Sequence, residues 1–248
     1  MSAPIEDIDI EACTVDASGS PLVISTFGQR VRTYEVSGRS LIQARDEVFD
    51  TGVMLTGPDF LQTPQVGRDV LVGSAFGRVE LWRSGTEWRR LDAWTTDDRL
   101  GMPSMGSSRI LVPLSNRPGV QVLEVQNDEI RAREIISFSE DVHFVAVASD
   151  DRIAWVWSPQ SLFVIDISTG EITSRVERAN CPLQRADVLS HENGYELIGR
   201  SAENGSAVVR CETTEDGAIL TTQPLRTSRS EDAIVGVQAR RSPRDDGE

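Results

Sequence analysis

Paired carboxylates, two histidines and three cysteines are the residues of this sequence whose types could do chemistry. Asp97-Asp98 and Asp150-Asp151 are adjacent acids of the kind that might be assigned the acid and base roles of glycoside hydrolysis. That reaction needs two carboxyl groups roughly 5 to 9.5 Å apart across a cleft, and neighbours in a turn point away from each other. Both pairs are therefore expected to be solvated turn residues. His143 lies in the apolar stretch VHFVAVAS and is expected to be a core or channel-facing side chain rather than a base or ligand. Cys13, Cys181 and Cys211 form an odd set at wide spacing, which reads as free buried thiols and not as a disulfide framework. No C-x-x-C or H-x-x-H pair exists to start a zinc site, so no metal, cofactor or catalytic residue is expected.

The charge balance excludes more. Net charge is -14 over 248 residues, and all 25 basic residues are arginine. A chain without lysine has no P-loop, no Schiff-base chemistry and no lysine nucleophile. Its negative field also opposes sequence-independent binding to nucleic acid, where neutralising phosphates dominates affinity. Mean hydropathy is -0.26, and no apolar run approaches the roughly 20 residues of a membrane helix. The opening MSAPIEDIDI is acidic and has neither a basic n-region nor an apolar h-region. The cytoplasm is therefore the expected compartment.

The elements that must position these residues repeat. Five units share the pattern strand, turn, strand, Gly-type turn, strand. The clearest are DVLVGSAFGRVELWRSGTEWRRL from Asp69, RILVPLSNRPGVQVLEVQNDEI from Arg109 and DRIAWVWSPQSLFVIDISTGEI from Asp151. Their second strands begin at Val31, Val79, Val120, Leu162 and Ala207, spacings of 48, 41, 42 and 45. The turns that follow contain Gly38, Gly85, Asp128, Gly170 and Gly217 and keep the same period. It matches the roughly 40 to 50 residues of a four-stranded propeller blade. Period-two alternation puts Val79 and Leu81 on one face with Glu80 and Trp82 on the other, and splits SLFVIDI likewise. Apolar groups on both faces suit sheets stacked face to face, and Trp82, Trp155 and Trp157 are expected to fill the space between them. A preceding inner strand for each unit is read in DIEACTVDA, FLQTPQV, GMPSMGS, VHFVAVAS and RADVLSH.

FGRVELWRSG (Phe76 to Gly85) and SLFVIDISTGEI (Ser161 to Ile172) resemble the third strand and following turn of WD40-type and quinoprotein-like β-propeller blades. Trp82 and Tyr34 hold the aromatic position and Asp166 the acidic one, which Arg83 replaces in another unit. The opening Gly-His dipeptide and the Trp-x-x-Gly docking pattern are both missing, so the resemblance implies a fold and carries no site residue. SGTEW (Ser84 to Trp88) is similar to an Asp-box turn of sialidase-like propellers, without its aspartate.

The expectation is an all-β chain: a β-propeller of about five four-stranded antiparallel blades, or an incomplete six-bladed ring. One domain spans 1–240, and 241–248 form a disordered polar tail. DAIVGVQA at Asp232 to Ala239 and the N-terminal IEDIDIEACTV are candidates to close the ring by completing a shared blade, because an open sheet edge is a template for aggregation. Loop tips between the first and second clear strands of each unit should emerge on one face. Phe27, Phe76 and Arg117 on those tips are the expected interaction residues, since aromatic and Arg side chains dominate interface energetics. The function expected is a non-catalytic scaffold that binds protein, with no nucleic-acid or membrane partner, as a monomer or by self-association that closes the ring. The alternatives are a small propeller glycoside hydrolase using channel carboxylates, and a part-propeller closed by a second chain.

Overall fold

A computed structural model of the chain describes the backbone of residues 12–15, 22–27, 30–37, 40–48, 59–62, 69–74, 76–83, 85, 87–203 and 207–227. Side chains are described within 69–224, apart from positions 70, 72, 74 and 185 in those segments. DAIVGVQA and the 241–248 tail lie outside the described residues.

Among the described residues, five four-stranded antiparallel sheets follow one another along the chain, each built from four consecutive strands. The first contains Ala12–Val15 (β1), Leu22–Phe27 (β2), Arg30–Ser37 (β3) and Ser40–Val48 (β4). The second contains Asp59–Gln62 (β5), Asp69–Ser74 (β6), Arg78–Arg83 (β7) and Arg89–Thr95 (β8). Ser104–Met105 (β9), Arg109–Leu114 (β10), Gly119–Gln126 (β11) and Glu129–Ser137 (β12) make the third. The fourth is Phe144–Val147 (β13), Ile153–Trp157 (β14), Ser161–Asp166 (β15) and Glu171–Glu177 (β16); the fifth is Leu183–His191 (β17), Gly194–Ser201 (β18), Ala207–Thr213 (β19) and Ile219–Thr227 (β20). Each expected inner strand is present, and β1 pairs with β2 of its own sheet. The inner strands β9, β13 and β17 lie side by side, as do β1 and β5. Among the described residues no helix is long and apolar enough to cross a membrane.

Alternation along the strands assigns side chains to successive inter-sheet layers. Ala154 and Val156 face the third sheet with Leu111, Val120, Val122 and Phe138. Their neighbours Trp155 and Trp157 face the fifth with Leu183, Leu197 and Val209. Leu71, Val79 and Leu81 pack likewise on Ile110, Val112 and Leu123 of the third sheet. Burying each such side chain contributes about 1.5 to 3 kcal/mol, so both faces of a central sheet hold the stack together. The tryptophans also bond: Trp155 Nε1 donates to the Gly217 carbonyl and Trp157 Nε1 to the Cys181 carbonyl, both at 2.9 Å.

Every third-to-fourth strand pairing carries a register shift, at Thr33/Tyr34, Leu81/Trp82, Gln121/Leu123, Val164/Ile165 and twice in the last sheet. A bulge there increases local twist and frees the outer strand from strict pairing. The outer strands β12 and β16 are largely exposed and β8 partly so, and all three are rich in charge, which protects the sheet edges from pairing with other chains.

Two cysteines depart from the free-thiol expectation. Cys181 and Cys211 are fully buried and joined in a disulfide with Cα atoms 6.0 Å apart. They are 30 residues apart in sequence, but one precedes β17 and the other lies within β19 of the same sheet. Both face one apolar layer, a proximity that linear spacing does not reveal.

Candidate binding face

The hairpin tips that join second and third strands are tied together by a recurring set of hydrogen bonds. In the second, third and fourth sheets the first backbone amide after the fourth strand donates to the tip of its own sheet: Thr96 to the Gly77 carbonyl at 2.8 Å, Phe138 to Pro118 at 3.0 Å and Arg178 to Gln160 at 2.9 Å. Two residues further on, a carboxylate reaches the next sheet's tip. Asp98 accepts from Asn116 Nδ2 at 3.1 Å and from Arg117 Nη2. Glu140 accepts from Ser158 Oγ at 2.6 Å, Ser161 Oγ at 2.7 Å and Arg175 Nη2 at 2.8 Å. Burial would raise both carboxyls, but the donors and the nearby guanidinium outweigh it and hold each below the usual carboxylate range. Tips of the second to fourth sheets are thereby fixed on one face.

Phe76 stands at the β6–β7 tip with 68% of its surface exposed. The next residue, Gly77, has φ +90°, and a Cβ there would sit 2.1 Å from the Thr96 carbonyl oxygen. Only glycine allows the turn that carries Phe76 outward. Arg117 is 46% exposed at the β10–β11 tip and ion-paired to Asp98. The two residues are linked through Gly77, Thr96 and Asp98. Phe27 ends β2 opposite Arg30, with its side chain outside the described residues.

The third junction on this face differs from its two predecessors. Asn180 stands where Asp98 and Glu140 stand, and an open groove of about 1010 Å³ lies there, lined by Arg175, Glu177, Arg178 and Glu203 with His143, Phe144 and Pro182 among others. His143, expected in the core or channel, is instead exposed at the groove, just before β13. It donates its backbone amide to the Trp157 carbonyl at 2.8 Å. Its place at the end of an inner strand, not inside one, accounts for the difference. Arg178 is half-buried: Nη1 donates to the Ser158 carbonyl at 3.1 Å, and no carboxylate pairs with it among the described residues. Burial therefore lowers its pKa from the ordinary arginine value.

The opposite face is also clamped by acids. Asp151, at φ 57°, accepts the backbone amides of Ser107, Ser108 and Arg109 at 3.0, 2.7 and 3.3 Å and both serine hydroxyls. Asp150 accepts from the Tyr195 hydroxyl at 2.8 Å. Burial, with this bond to Asp150, pushes the Tyr195 pKa up to about 12. Asp98, Asp150 and Asp151 are thus inter-sheet acceptors and not simply solvated turn residues. The sequence signal was only their recurrence at turns, since the donors lie 18 to 45 residues away. Among the described residues no group of His, Cys, Asp and Glu is arranged to hold a metal ion.

No family model matches the chain, and no curated protein matches it either. Solved structures do match. A crystal structure of a protein from Lactobacillus plantarum, a structural-genomics target, is 12% identical, with a TM-score of 0.60 over 90% of this chain and 72% of that one. The fold is propeller-like. With 1055 chains of solved structures similar to it, the architecture is too widely shared to say what the chain does.

Proposed function

We propose that the five sheets are the blades of a single WD40-like or quinoprotein-like propeller domain, and that the protein is a non-catalytic scaffold binding a protein partner through the hairpin-tip face. The observation carrying this reading is Phe76, a large apolar side chain 68% exposed on a turn whose geometry admits only glycine at Gly77. An ordered aromatic loses little conformational freedom on binding, so it is a favourable anchor beside an arginine such as Arg117. Rigid sheets holding variable tips are the usual way a scaffold presents function.

The test is affinity capture from the native host with wild-type protein and with Phe76→Ala/Arg117→Ala as baits. The scaffold reading expects a protein recovered near stoichiometry with wild type and reduced at least tenfold with the double variant. Equal recovery by both baits contradicts it.

Glycoside hydrolysis remains the competing reading, and one observation defines it. β9 and β13 carry no carboxylate, while β17 carries Asp187, which lines a small cavity with Met102, Ser104 and Phe144 near the inner strands. Hydrolysis requires a second carboxyl across from it. Turnover of aryl glycosides that disappears in Asp187→Asn would favour this reading over the scaffold. The buried Cys181–Cys211 disulfide favours an oxidising compartment over the cytoplasm expected from sequence, because cytosolic thiols are kept reduced. Alkylation and mass spectrometry of protein taken from the host discriminates: a crosslinked Cys181 peptide supports the oxidising compartment, and two alkylated cysteines support the cytoplasm.

A further inference from the structure

At each junction from the second sheet to the fifth, the connecting segment is held against the sheet that follows, and the last junction does this with different chemistry. Asp98 stands two residues before Leu100, which bridges to Leu114 at the end of β10, and the Ser115 amide donates to the Arg99 carbonyl at 2.7 Å. Cys181 stands two residues before Leu183, which pairs with Ser201 at the end of β18, and the Ala202 amide donates to the Pro182 carbonyl at 2.7 Å. Counted back from the following sheet, Cys181 therefore holds the place of the clamping carboxylate. The short 3-10 helix Arg178–Asn180 lengthens this connection by one residue, which is why Asn180 holds that place when the count starts from β16. Asp98 and Glu140 hold the next sheet by ion pairs and hydrogen bonds. Cys181 holds it by a covalent bond to Cys211 in β19.

We propose that Cys181–Cys211 is a redox latch: the disulfide fixes residues 178–182, one wall of the groove on the hairpin-tip face, against the fifth sheet, and the dithiol form releases them. Arg178, Ala179 and Pro182 line that groove and flank Cys181, so wall and latch are one piece of chain. No residue of the 3-10 helix is buried, and its N-terminus has no side-chain cap. Among the described residues, the segment's hydrogen bonds to the fifth sheet come from the Thr222 hydroxyl to the Asn180 carbonyl and from the Ala202 amide to Pro182. Trp157 Nε1 holds the Cys181 carbonyl from the fourth-sheet side. Both sulfurs are fully buried, so a reductant reaches them when this weakly held segment undocks, a local opening that costs less than unfolding the sheets. Release takes two electrons and two protons: a dithiol reductant attacks the disulfide, each cysteine leaves as a thiol, and the reductant is left as its own disulfide. The earlier junctions carry no cysteine and respond to protons instead, through Asp98 and Glu140.

The experiment is amide hydrogen exchange on the full chain before and after dithiothreitol in native buffer, with free thiols counted by alkylation. Reduced protein should exchange at least tenfold faster at Cys181, Leu183 and Ala202, whose amides bond within or onto the segment. Gly101, Ser115 and Phe138 of the earlier junctions should stay within twofold. Cys181→Ala/Cys211→Ala should match the reduced protein with or without dithiothreitol. Asp98→Asn should give the opposite pattern, with faster exchange at Ser115 and no change at Ala202. Unchanged exchange at Cys181, Leu183 and Ala202 once both thiols are free overturns the proposal. Equal acceleration at all three junctions also overturns it, since the crosslink would then be a general stabiliser, and so does a disulfide that dithiothreitol opens only in denaturant. No partner is needed, so failure of the latch and failure of the protein-binding reading are separately visible.

Discussion

Gly77 and Glu140 shape the hairpin-tip face. Replacing Gly77 with Ala puts a Cβ against the Thr96 carbonyl at a φ that L residues avoid, and should cost about 1 to 3 kcal/mol in urea unfolding. Glu140 and Asp98 are held below the usual carboxylate range in the folded state. The folded protein therefore binds fewer protons than the unfolded chain in mildly acid solution. The stability these groups contribute is full above about pH 5 and is lost as pH falls through their folded values. Glu140→Gln should be less stable than wild type at pH 7, with the difference shrinking as pH falls toward 3; a constant difference would show that the charge is irrelevant. Phe76 was legible as a tip residue because Phe76-Gly77 sits between two strand patterns. The roles of Asp98 and Glu140 were not, since a carboxylate's donors lie on other turns and spacing alone does not show which turns meet. Arg178 was missed for a related reason: among the described residues it has no carboxylate partner, which has no sequence signature.

At the scale of the element, alternation carried most of the information. RVELW and SLFVID divide between two faces as their period of two requires, and the structure buries both. The bulges between third and fourth strands left no such trace, because a shift of one residue in an exposed outer strand changes little in the apolar pattern. The bond from Trp155 Nε1 to the buried Gly217 carbonyl joins the fourth sheet to the fifth. Trp155→Phe keeps the ring and strands that carbonyl, so a loss of about 1 to 3 kcal/mol is expected in denaturant unfolding. The Cys181–Cys211 disulfide closes a loop of 30 residues, for which chain entropy gives about 3 to 4 kcal/mol. Reduction should lower the melting temperature, and most of the shift should vanish in Cys181→Ala/Cys211→Ala, whose stability dithiothreitol should not alter.

At the scale of the molecule, the period read from sequence corresponds to the consecutive four-stranded sheets among the described residues, because each sheet folds from one continuous stretch of chain. Closure of the ring was not legible, since it depends on contacts between the ends of the chain. A single propeller domain is expected to run as a monomer in size-exclusion chromatography with light scattering, whereas a part-propeller would run as a multiple or require a second chain. The proposed partner binds one face, made of hairpin tips. Hydrogen exchange of the protein with and without its captured partner tests this most directly. Added protection at 76–77, 115–118 and 158–160, with the turns at 106–108 and 149–152 unchanged, is the predicted result. Protection on that opposite set of turns, or none on the tips, would contradict it.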